Sequence, residues 1–312
     1  MLVTGGGGLL GYALKQIAPN AAYLTRRDCD LTDLGQVKRL FARLAPERVI
    51  HLAAQVGGVK RNAEQNADLF TSNVLMNTNV LSAAQEHGVT RLISVLSSCV
   101  FPELPDRPAT EHDVHAGMPF EGNLGYGYSK RMLDLHTTLL QMQHGCRYST
   151  ITPVTMYGPN DNWDLDGGHV VGSLIHKCFL AQSQGRPLEV WGSGAAIRQF
   201  VYSCDVARLL LHAVETYDGP ETVIVTPDAG VTIRTLVECM TKVMRFDGQV
   251  VFDRQQHEGQ LVKVIQSRTF AHRFPGFVFT SLEEGLKATV QWFIKKHAPG
   301  LIAQPPHGGG AA

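Results

Sequence analysis

The sequence Met1-Leu2-Val3-Thr4-Gly5-Gly6-Gly7-Gly8-Leu9-Leu10-Gly11 decides the fold of this chain. Its first four residues predict a short buried strand, and the run from Tyr12 to Ile17 predicts a helix. The glycines recur as Gly5-x-x-Gly8-x-x-Gly11, a spacing that allows a tight turn and a close approach of the backbone to a pyrophosphate at the helix N-terminus. Because this turn lies between a strand and a helix, it predicts a nucleotide-binding domain of the α/β class.

Strands and helices alternate along the first half of the chain, which favours a Rossmann-type, doubly wound parallel sheet. Further strands are predicted at 21–24, 48–52, 91–95 and 148–152, and long helices at 68–87 and 127–144. Beyond residue 153 the alternation is lost, and helices are predicted at 204–217, 232–246 and 281–297. We therefore expect a coenzyme-binding domain over residues 1–152, a smaller, mainly substrate-binding α/β lobe over 153–302, and a flexible tail over 303–312. Some elements of the lobe, such as 223–225, could rejoin the main sheet.

The composition argues against several classes of protein. Lys and Arg together number 28 and Asp and Glu also 28, so the formal net charge is zero and no basic field suits nucleic acid. No stretch is long and apolar enough to cross a bilayer, and the passage from Met1-Leu2-Val3 straight into glycines predicts no signal peptide. Six scattered cysteines without a C-x-x-C pair argue against zinc and disulfides. We therefore expect a cytoplasmic protein that binds neither metal, nucleic acid nor membrane.

Two arginines follow the second predicted strand, in the sequence Thr25-Arg26-Arg27. An acidic residue at this place would accept a hydrogen bond from a free ribose 2′-hydroxyl, whereas arginines suit a 2′-phosphate. Arg26 and Arg27 therefore favour NADP over NAD as the coenzyme. The alternative is a solvated basic turn without a ligand.

The sequence Tyr126-x-x-x-Lys130 places a phenol and an ammonium on one face of a helix. A phenol normally loses its proton near pH 10, and a nearby cation favours the phenolate, so we expect Lys130 to make Tyr126 a better acid-base group. Ser97 and Ser98 follow the fourth predicted strand, at the edge where ligands of parallel sheets bind. These groups suit proton delivery to a carbonyl that receives a hydride, although a helix-start Tyr and a solvated Lys would have the same spacing.

Longer motifs stand farther along the chain. They are His51-Leu52-Ala53-Ala54-x-Val56-Gly57-Gly58, Ser97-Ser98-Cys99-Val100-Phe101-Pro102, Tyr157-Gly158-Pro159-Asn160-Asp161-Asn162, Gly168-His169-Val170, Val190-Trp191-Gly192-Ser193-Gly194 and Arg198-Gln199-Phe200-Val201-Tyr202. With the glycine turn and the Tyr-Lys pair, they resemble the extended short-chain dehydrogenases that act on nucleotide sugars, most closely the GDP-L-fucose synthase family. The resemblance runs from Leu2 to about Ile294.

The resemblance implies a bifunctional, NADPH-dependent enzyme whose substrate is a GDP-sugar with a ketone at carbon 4. The ketone acidifies the protons on carbons 3 and 5, because each carbanion is an enolate. Inversion then needs one group to remove a proton and another to return one from the opposite face. The family positions imply that Cys99 and His169 are these two groups, and thiols and imidazoles both suit proton transfer near neutral pH. We expect Cys99 to be the base and His169 the acid, and the reverse assignment stays open at this point. The alternatives are a small buried Cys and a loop His bonded to backbone.

Reduction follows inversion in this family. The nicotinamide gives a hydride to carbon 4, Tyr126 donates the proton, Ser97 polarises the carbonyl and Lys130 holds the nicotinamide ribose. The implied coenzyme-binding residues are Gly5, Gly8, Leu9, Leu10, Gly11, Arg26, Arg27, Asp30, Leu31, Ala53, Ala54, Leu96, Ser98, Lys130, Pro153, Thr155 and His169. The implied substrate-binding residues are Lys177, Trp191, Arg198 and Glu258. The family also implies a homodimer through the helices 68–87 and 127–144.

The chain departs from the family pattern in two regions. Pro153-Val154-Thr155 stands where the family has Pro-Thr-Asn, so an amide near the nicotinamide is lost. Glu258-Gly259 replaces an Asp-Gly pair and Gln266 replaces an Asp, which bears on recognition of the guanosine and ribose.

Two other functions stay open at this point. One is another nucleotide-sugar 4-epimerase, dehydratase or reductase of the same fold; the epimerases and dehydratases usually retain NAD and favour an acid where Arg26 and Arg27 stand. The other is a non-catalytic NADP-binding sensor. Such proteins often lose the Tyr-Lys pair or the second proton-transfer group, whereas this chain keeps Tyr126, Lys130, Cys99 and His169.

Overall fold

The computed structural model describes residues 1–57, 64–104, 106–165, 167–256 and 260–297. Within them the strands are β1 (Leu2–Thr4), β2 (Ala22–Leu24), β3 (Arg48–His51), β4 (Arg91–Val95), β5 (Arg147–Pro153), β6 (Thr155–Tyr157), β7 (Leu188–Trp191), β8 (Ile197–Arg198), β9 (Phe200–Tyr202), β10 (Val223–Val225), β11 (Val231–Thr232), β12 (Val250–Asp253) and β13 (Val262–Lys263). The helices are α1 (Leu9–Ile17), α2 (Leu34–Leu44), α3 (Asn66–Glu86), α4 (Leu124–His144), α5 (Val170–Gln184), α6 (Ser203–Thr216), α7 (Ile233–Met244), α8 (Phe270–Arg273) and α9 (Leu282–His297).

A parallel sheet of six strands forms the centre of the described structure, in the order β10-β5-β4-β3-β1-β2. Strand β1 lies between β2 and β3, so the chain passes from β1 to β2 on one side and then crosses to β3 on the other side. The loops diverge at such a reversal and leave a crevice outside the carboxyl ends of the strands. The predicted doubly wound parallel sheet is confirmed.

Helices cover both faces of this sheet. Successive side chains of a strand point to opposite faces. Val3 and Ile50 are accordingly buried in the cluster that contains α1 and α6, whereas Leu2 and Val49 are buried with α2, α3 and α4. Burial on both faces explains why adjacent residues of these strands, Leu2-Val3 and Val49-Ile50, are all apolar.

Two elements that follow residue 152 belong to this central layer. Strand β10 pairs in parallel with β5, and α6 packs against α1 in the same apolar cluster. The remaining later elements enclose a second core, to which α5, α7 and α9 contribute, beside the small sheets β11-β8-β13 and β12-β7. The boundary at residue 152 stays a prediction, and the predicted tail, 303–312, lies outside the described residues.

The predicted helices and strands of the central layer agree with the structure to within a few residues, and β4 spans the predicted residues 91–95. Several elements have no counterpart among the predicted ones: the helices α5 and α8 and the short strands β6, β8, β9, β11, β12 and β13. Of the described helices, none combines the length and the apolar character that a bilayer crossing needs.

Candidate active site

A cavity of about 640 Å³ lies at the carboxyl ends of β1, β3 and β4. Its walls are the glycine turn after β1, the loops after β2 and β3, one face of α4 and the loop before α5. Of the predicted coenzyme-binding residues, those that line it are Gly5, Gly8, Leu9, Leu10, Gly11, Arg26, Asp30, Leu31, Ala53, Ala54, Leu96, Lys130 and His169. The cavity therefore lies where the strand order reverses, as expected for a dinucleotide site.

Four predicted coenzyme-binding residues are described but do not line this cavity: Arg27, Ser98, Pro153 and Thr155. Arg27 is exposed on the turn after β2, and Pro153 is buried at the end of β5. Thr155 begins β6, and its neighbour Met156 lines the cavity instead. These four assignments stay predictions.

The glycine turn fits the diphosphate of a dinucleotide. A Cβ on Gly11 would lie 2.6 Å from the Cα of Gly6 and 2.7 Å from the carbonyl oxygen of Gly5, so only glycine lets α1 pack this closely onto the turn. Helix α1 begins at Leu9 after Gly8, with no acidic side chain in its first turn to occupy its free N–H groups. These N–H groups and the helix dipole favour a bound anion at this point.

Tyr126 and Lys130 lie in the first turns of α4 and both line the cavity. Lys130 is only 2% exposed, and its ammonium donates a hydrogen bond of 2.6 Å to the carbonyl of Val95, the last residue of β4. Burial lowers the pKa of Lys130 from 10.5 to about 8. This cation is thus held at the carboxyl edge of the sheet, where the coenzyme is expected.

The expectation that Lys130 lowers the pKa of Tyr126 is wrong for this structure. Burial, and then the charge of a Cys99 thiolate, raise the pKa of the phenol well above its ordinary value near 10, and a hydrogen bond with Ser97 lowers it less. The Lys130 ammonium lies 5.9 Å from the centre of the Tyr126 ring and is bonded to Val95 instead. Tyr126 is therefore protonated at neutral pH, which suits a proton donor.

A buried arginine of α4 fixes the turn that carries Ser97 and Cys99. The Arg131 guanidinium donates to the carbonyl of Val100 through Nε at 2.9 Å, and also to the carbonyls of Ala116 and Gly117. Within the turn, the Ser97 hydroxyl accepts a hydrogen bond of 3.2 Å from the backbone N–H of Cys99. Because the same helix carries Tyr126, this arginine fixes the position of the turn relative to the phenol.

The Cys99 sulfur contacts two polar side chains from distant parts of the sequence. The Asn123 amide donates to Sγ at 3.5 Å, and the Lys263 ammonium lies 3.9 Å from Sγ. A cation at that distance stabilises a thiolate. The residues Asn123 and Lys263 were not among the predicted site residues, because nothing in the local sequence pattern places them beside residue 99.

His169 lines the cavity from the position that precedes α5. Its Nδ1 lies 3.0 Å from Oδ1 of Asp161, a carboxylate whose side chain is fully buried. This hydrogen bond raises the pKa of His169 above its ordinary value near 6.5, and burial opposes the rise. Asp161 also lines the cavity, although the motif that contains it predicts no role for this residue.

The predicted substrate residues lie on the later elements of the chain. The Lys177 ammonium of α5 lies 4.2 Å from the centre of the Trp191 ring, which is 48% exposed at the end of β7. Arg198 of β8 donates to the backbone carbonyl of Gln260 and is the register partner of Lys263 in β13. Since Lys263 reaches Cys99, Arg198 lies on the strand beside the one that approaches the thiol. Glu258, the fourth predicted residue, lies outside the described residues, as do Gly58 and Gly259.

Comparisons with known proteins show which family shares this sequence and fold. Residues 1–225 match the family model of the NAD dependent epimerase/dehydratase family. The chain is 33% identical to a GDP-L-fucose synthase of Dictyostelium discoideum, an alignment that covers 95% of this chain and 96% of that protein. It is 34% identical to a probable GDP-L-fucose synthase of Drosophila melanogaster, with coverage of 95% and 98%. The crystal structure of a GDP-L-fucose synthetase from Naegleria fowleri bound to NADP aligns with a TM-score of 0.89 at 36% identity, over 95% and 92% of the two chains. The chain therefore belongs to the NAD dependent epimerase/dehydratase family.

Proposed function

We propose that this chain is a bifunctional NADPH-dependent enzyme that converts GDP-4-keto-6-deoxy-D-mannose to GDP-L-fucose, acting as 3,5-epimerase and 4-ketoreductase. The observation that carries the proposal is the grouping of His169, Tyr126 and Lys130 around one cavity, with Cys99 beside the phenol. The GDP-L-fucose synthases among the relatives support the same substrate and product.

NADPH, when bound, supplies the hydride that reduces carbon 4. The glycine turn is suited to the diphosphate, because it brings the N-terminus of α1 to the cavity wall. Arg26 lines the cavity after β2, where a guanidinium can bind a 2′-phosphate. Lys130 can exchange its hydrogen bond with Val95 for a ribose hydroxyl without leaving the cavity wall.

Inversion of carbons 3 and 5 falls to Cys99 and His169. The Cys99 thiolate, whose sulfur lies 3.9 Å from the Lys263 ammonium, removes a proton from the carbon next to the ketone. The imidazolium of His169 returns a proton from the opposite face of the sugar ring. Ser97 and Tyr126 donate hydrogen bonds to the ketone oxygen, which carries the negative charge of the enolate.

Reduction uses the same ketone. The Tyr126 phenol donates its proton to the oxygen on carbon 4 as the hydride arrives, and its raised pKa keeps that proton in place until then. One carbonyl held by one set of donors thus serves both inversions and the reduction. The diphosphate of the substrate is assigned to Lys177 and Arg198, and the flat face of Trp191 to the sugar or base.

A homodimer in the cytoplasm is part of the proposal. Helices α3 and α4 pack together and expose large apolar side chains on their outer face: Phe70 and Leu75 on α3, and Met132, Leu135, Leu139 and Met142 on α4. An apolar face of this kind is typical of a protein interface. The six cysteines are free thiols, a state that a reducing compartment would maintain. Sedimentation of the protein and of Leu139→Glu tests the dimer, which the charged variant should dissociate.

The central experiment follows NADPH absorbance and product identity with GDP-4-keto-6-deoxy-D-mannose as substrate. We expect Cys99→Ser to lose inversion while still reducing the ketone to the uninverted sugar. Cys146→Ser, at a thiol between α4 and the start of β5, is the matched control and should make GDP-L-fucose normally.

Two outcomes would contradict the proposal. No NADPH oxidation by the native protein would favour a sensor or another substrate, and equal inversion by Cys99→Ser would remove the thiol from its role. A binding titration that compares GDP with UDP and ADP tests the base, and GDP should bind most tightly.

A further inference from the structure

Asp161 is a buried carboxylate that the reaction scheme leaves without a role. Its side chain has no exposed surface, whereas that of its partner His169 is 40% exposed. Oδ1 accepts the backbone N–H of Asn162 at 2.8 Å and lies 3.0 Å from Nδ1 of His169. Oδ2 is buried and has no hydrogen-bond partner among the described residues. A buried carboxylate needs a positive partner, since burial of an isolated charge is costly.

His169 is the partner that supplies this charge. Within the described ranges, no lysine or arginine forms an ion pair with Asp161. The other titratable or charged groups that share the cavity with His169 are Arg26, Cys29, Asp30, Tyr126 and Lys130. None of these is a source of the electrostatic shift of the His169 pKa, which comes from Asp161.

The position of His169 makes this contact decisive for its charge. The residue stands immediately before α5, where the free N–H groups of the helix disfavour a cation. Partial burial disfavours the cation as well. The hydrogen bond with Asp161 is therefore what favours the protonated ring, and an Nδ1–H that donates to the carboxylate leaves Nε2 for the cavity.

The loop between the two residues is built to hold them together. A Cβ on Gly168 would lie 2.4 Å from the carbonyl oxygen of Asp164 and 2.6 Å from that of Asn162, so the loop folds tightly just before His169. The Asn162 amide also donates to the carbonyl of Gly167. The carboxylate and the ring thus face each other across a short, closed loop.

We propose that Asp161 is a positioning residue that fixes the ring of His169 with Nε2 toward the cavity and keeps it as an imidazolium at neutral pH. Resting on the proposed function, this assigns His169 the return of the proton and leaves its removal to Cys99. The base and the acid of the inversion thereby follow from one contact.

The test measures the protonation of His169 directly, by NMR of histidine-labelled protein without coenzyme, with the signal assigned by its loss in His169→Gln. We expect the native ring to titrate above 6.5, and Asp161→Asn, which keeps an acceptor but removes the charge, to lower that value by about one unit or more. Asp164→Asn removes an exposed carboxylate of the same loop and should leave the titration unchanged. The nitrogen shifts of native His169 should report both nitrogens protonated at neutral pH, a measurement that needs no variant to fold.

A second arm follows deuterium uptake at carbons 3 and 5 of the sugar in D₂O. We expect Asp161→Asn to slow uptake about tenfold or more at pH 8 and to recover as the pH falls, with Asp164→Asn like the native protein. An unchanged titration in Asp161→Asn, a neutral ring in the native protein, or an equal effect of Asp164→Asn would overturn the assignment. If the titration shifts but the native protein neither exchanges deuterium nor oxidises NADPH, the positioning contact is supported and the proposed function fails.

Discussion

Replacement of Lys130 by Met is expected to stabilise the protein at neutral pH while it abolishes reduction. The pKa of Lys130 is about 8 in the folded chain, against about 10.5 for an exposed lysine. At pH 7 the side chain is charged in both states, so the folded state carries a penalty of about 3 kcal/mol for its buried ammonium. Met is similar in size, and its loss of the hydrogen bond to Val95 costs about 1 kcal/mol. The variant should therefore be more stable by about 2 kcal/mol at pH 7.

The sign of the pH dependence follows from the lowered pKa. Between pH 8 and about 10.5 the unfolded chain keeps the proton that the folded chain has lost, so the native protein gains stability as the pH rises. The variant lacks this gain. The advantage of Lys130→Met should therefore fall from about 2 kcal/mol at pH 7 to about zero near pH 10.

Urea unfolding followed by circular dichroism, without coenzyme, measures both values. Lys295→Met is the matched control, since Lys295 is exposed on α9, and its effect should stay within about 0.5 kcal/mol. A Lys130→Met variant that is less stable than the native protein at pH 7 would refute the reasoning. A difference that does not change with pH would refute it as well, because burial of the charge would then not be its cause.

Three further predictions concern the coenzyme site and the sheet. Arg26→Gln should weaken NADPH binding about tenfold but leave NADH binding nearly unchanged, because only NADPH carries the 2′-phosphate; fluorescence titration checks this, and equal losses would contradict it. Gly11→Ala should lower the free energy of unfolding in the same urea assay by about 1–3 kcal/mol, because the added methyl meets the backbone of Gly6. Gly8→Ala is the control and should lower it less, since a Cβ there would lie 3.5 Å from the nearest atom, the carbonyl oxygen of Gly5. Burial lowers the pKa of His51 to about 4. Below pH 6.5 the unfolded chain therefore binds a proton that the folded chain does not bind, and the free energy of unfolding should fall by up to about 3 kcal/mol by pH 4. In the urea assay His51→Gln should show a weaker dependence on pH over this range.

The sequence predicts the central layer well because its signals are local. Short segments with adjacent apolar residues, bounded by turn signals and followed by helical runs, favour buried strands, and the spacing Gly5-x-x-Gly8-x-x-Gly11 is compatible with few turns. The four-residue spacing of Tyr126 and Lys130 is likewise sufficient to put both on one face of α4. Helix α5 is not predicted, because the sequence of the loop before it contains no local signal that marks the start of a helix.

The primary sequence determined the parallel sheet, the glycine turn and which side chains are the candidates for proton transfer. Only the tertiary structure decided their electrostatics: it buries Lys130 against Val95, raises the pKa of Tyr126, and brings Lys263 to within 3.9 Å of the Cys99 sulfur across 164 positions of sequence. It also sets Asp161 against His169. The reason is that residue type and spacing act over one helical turn or one strand, whereas burial and charge pairing depend on which distant segments fold against each other.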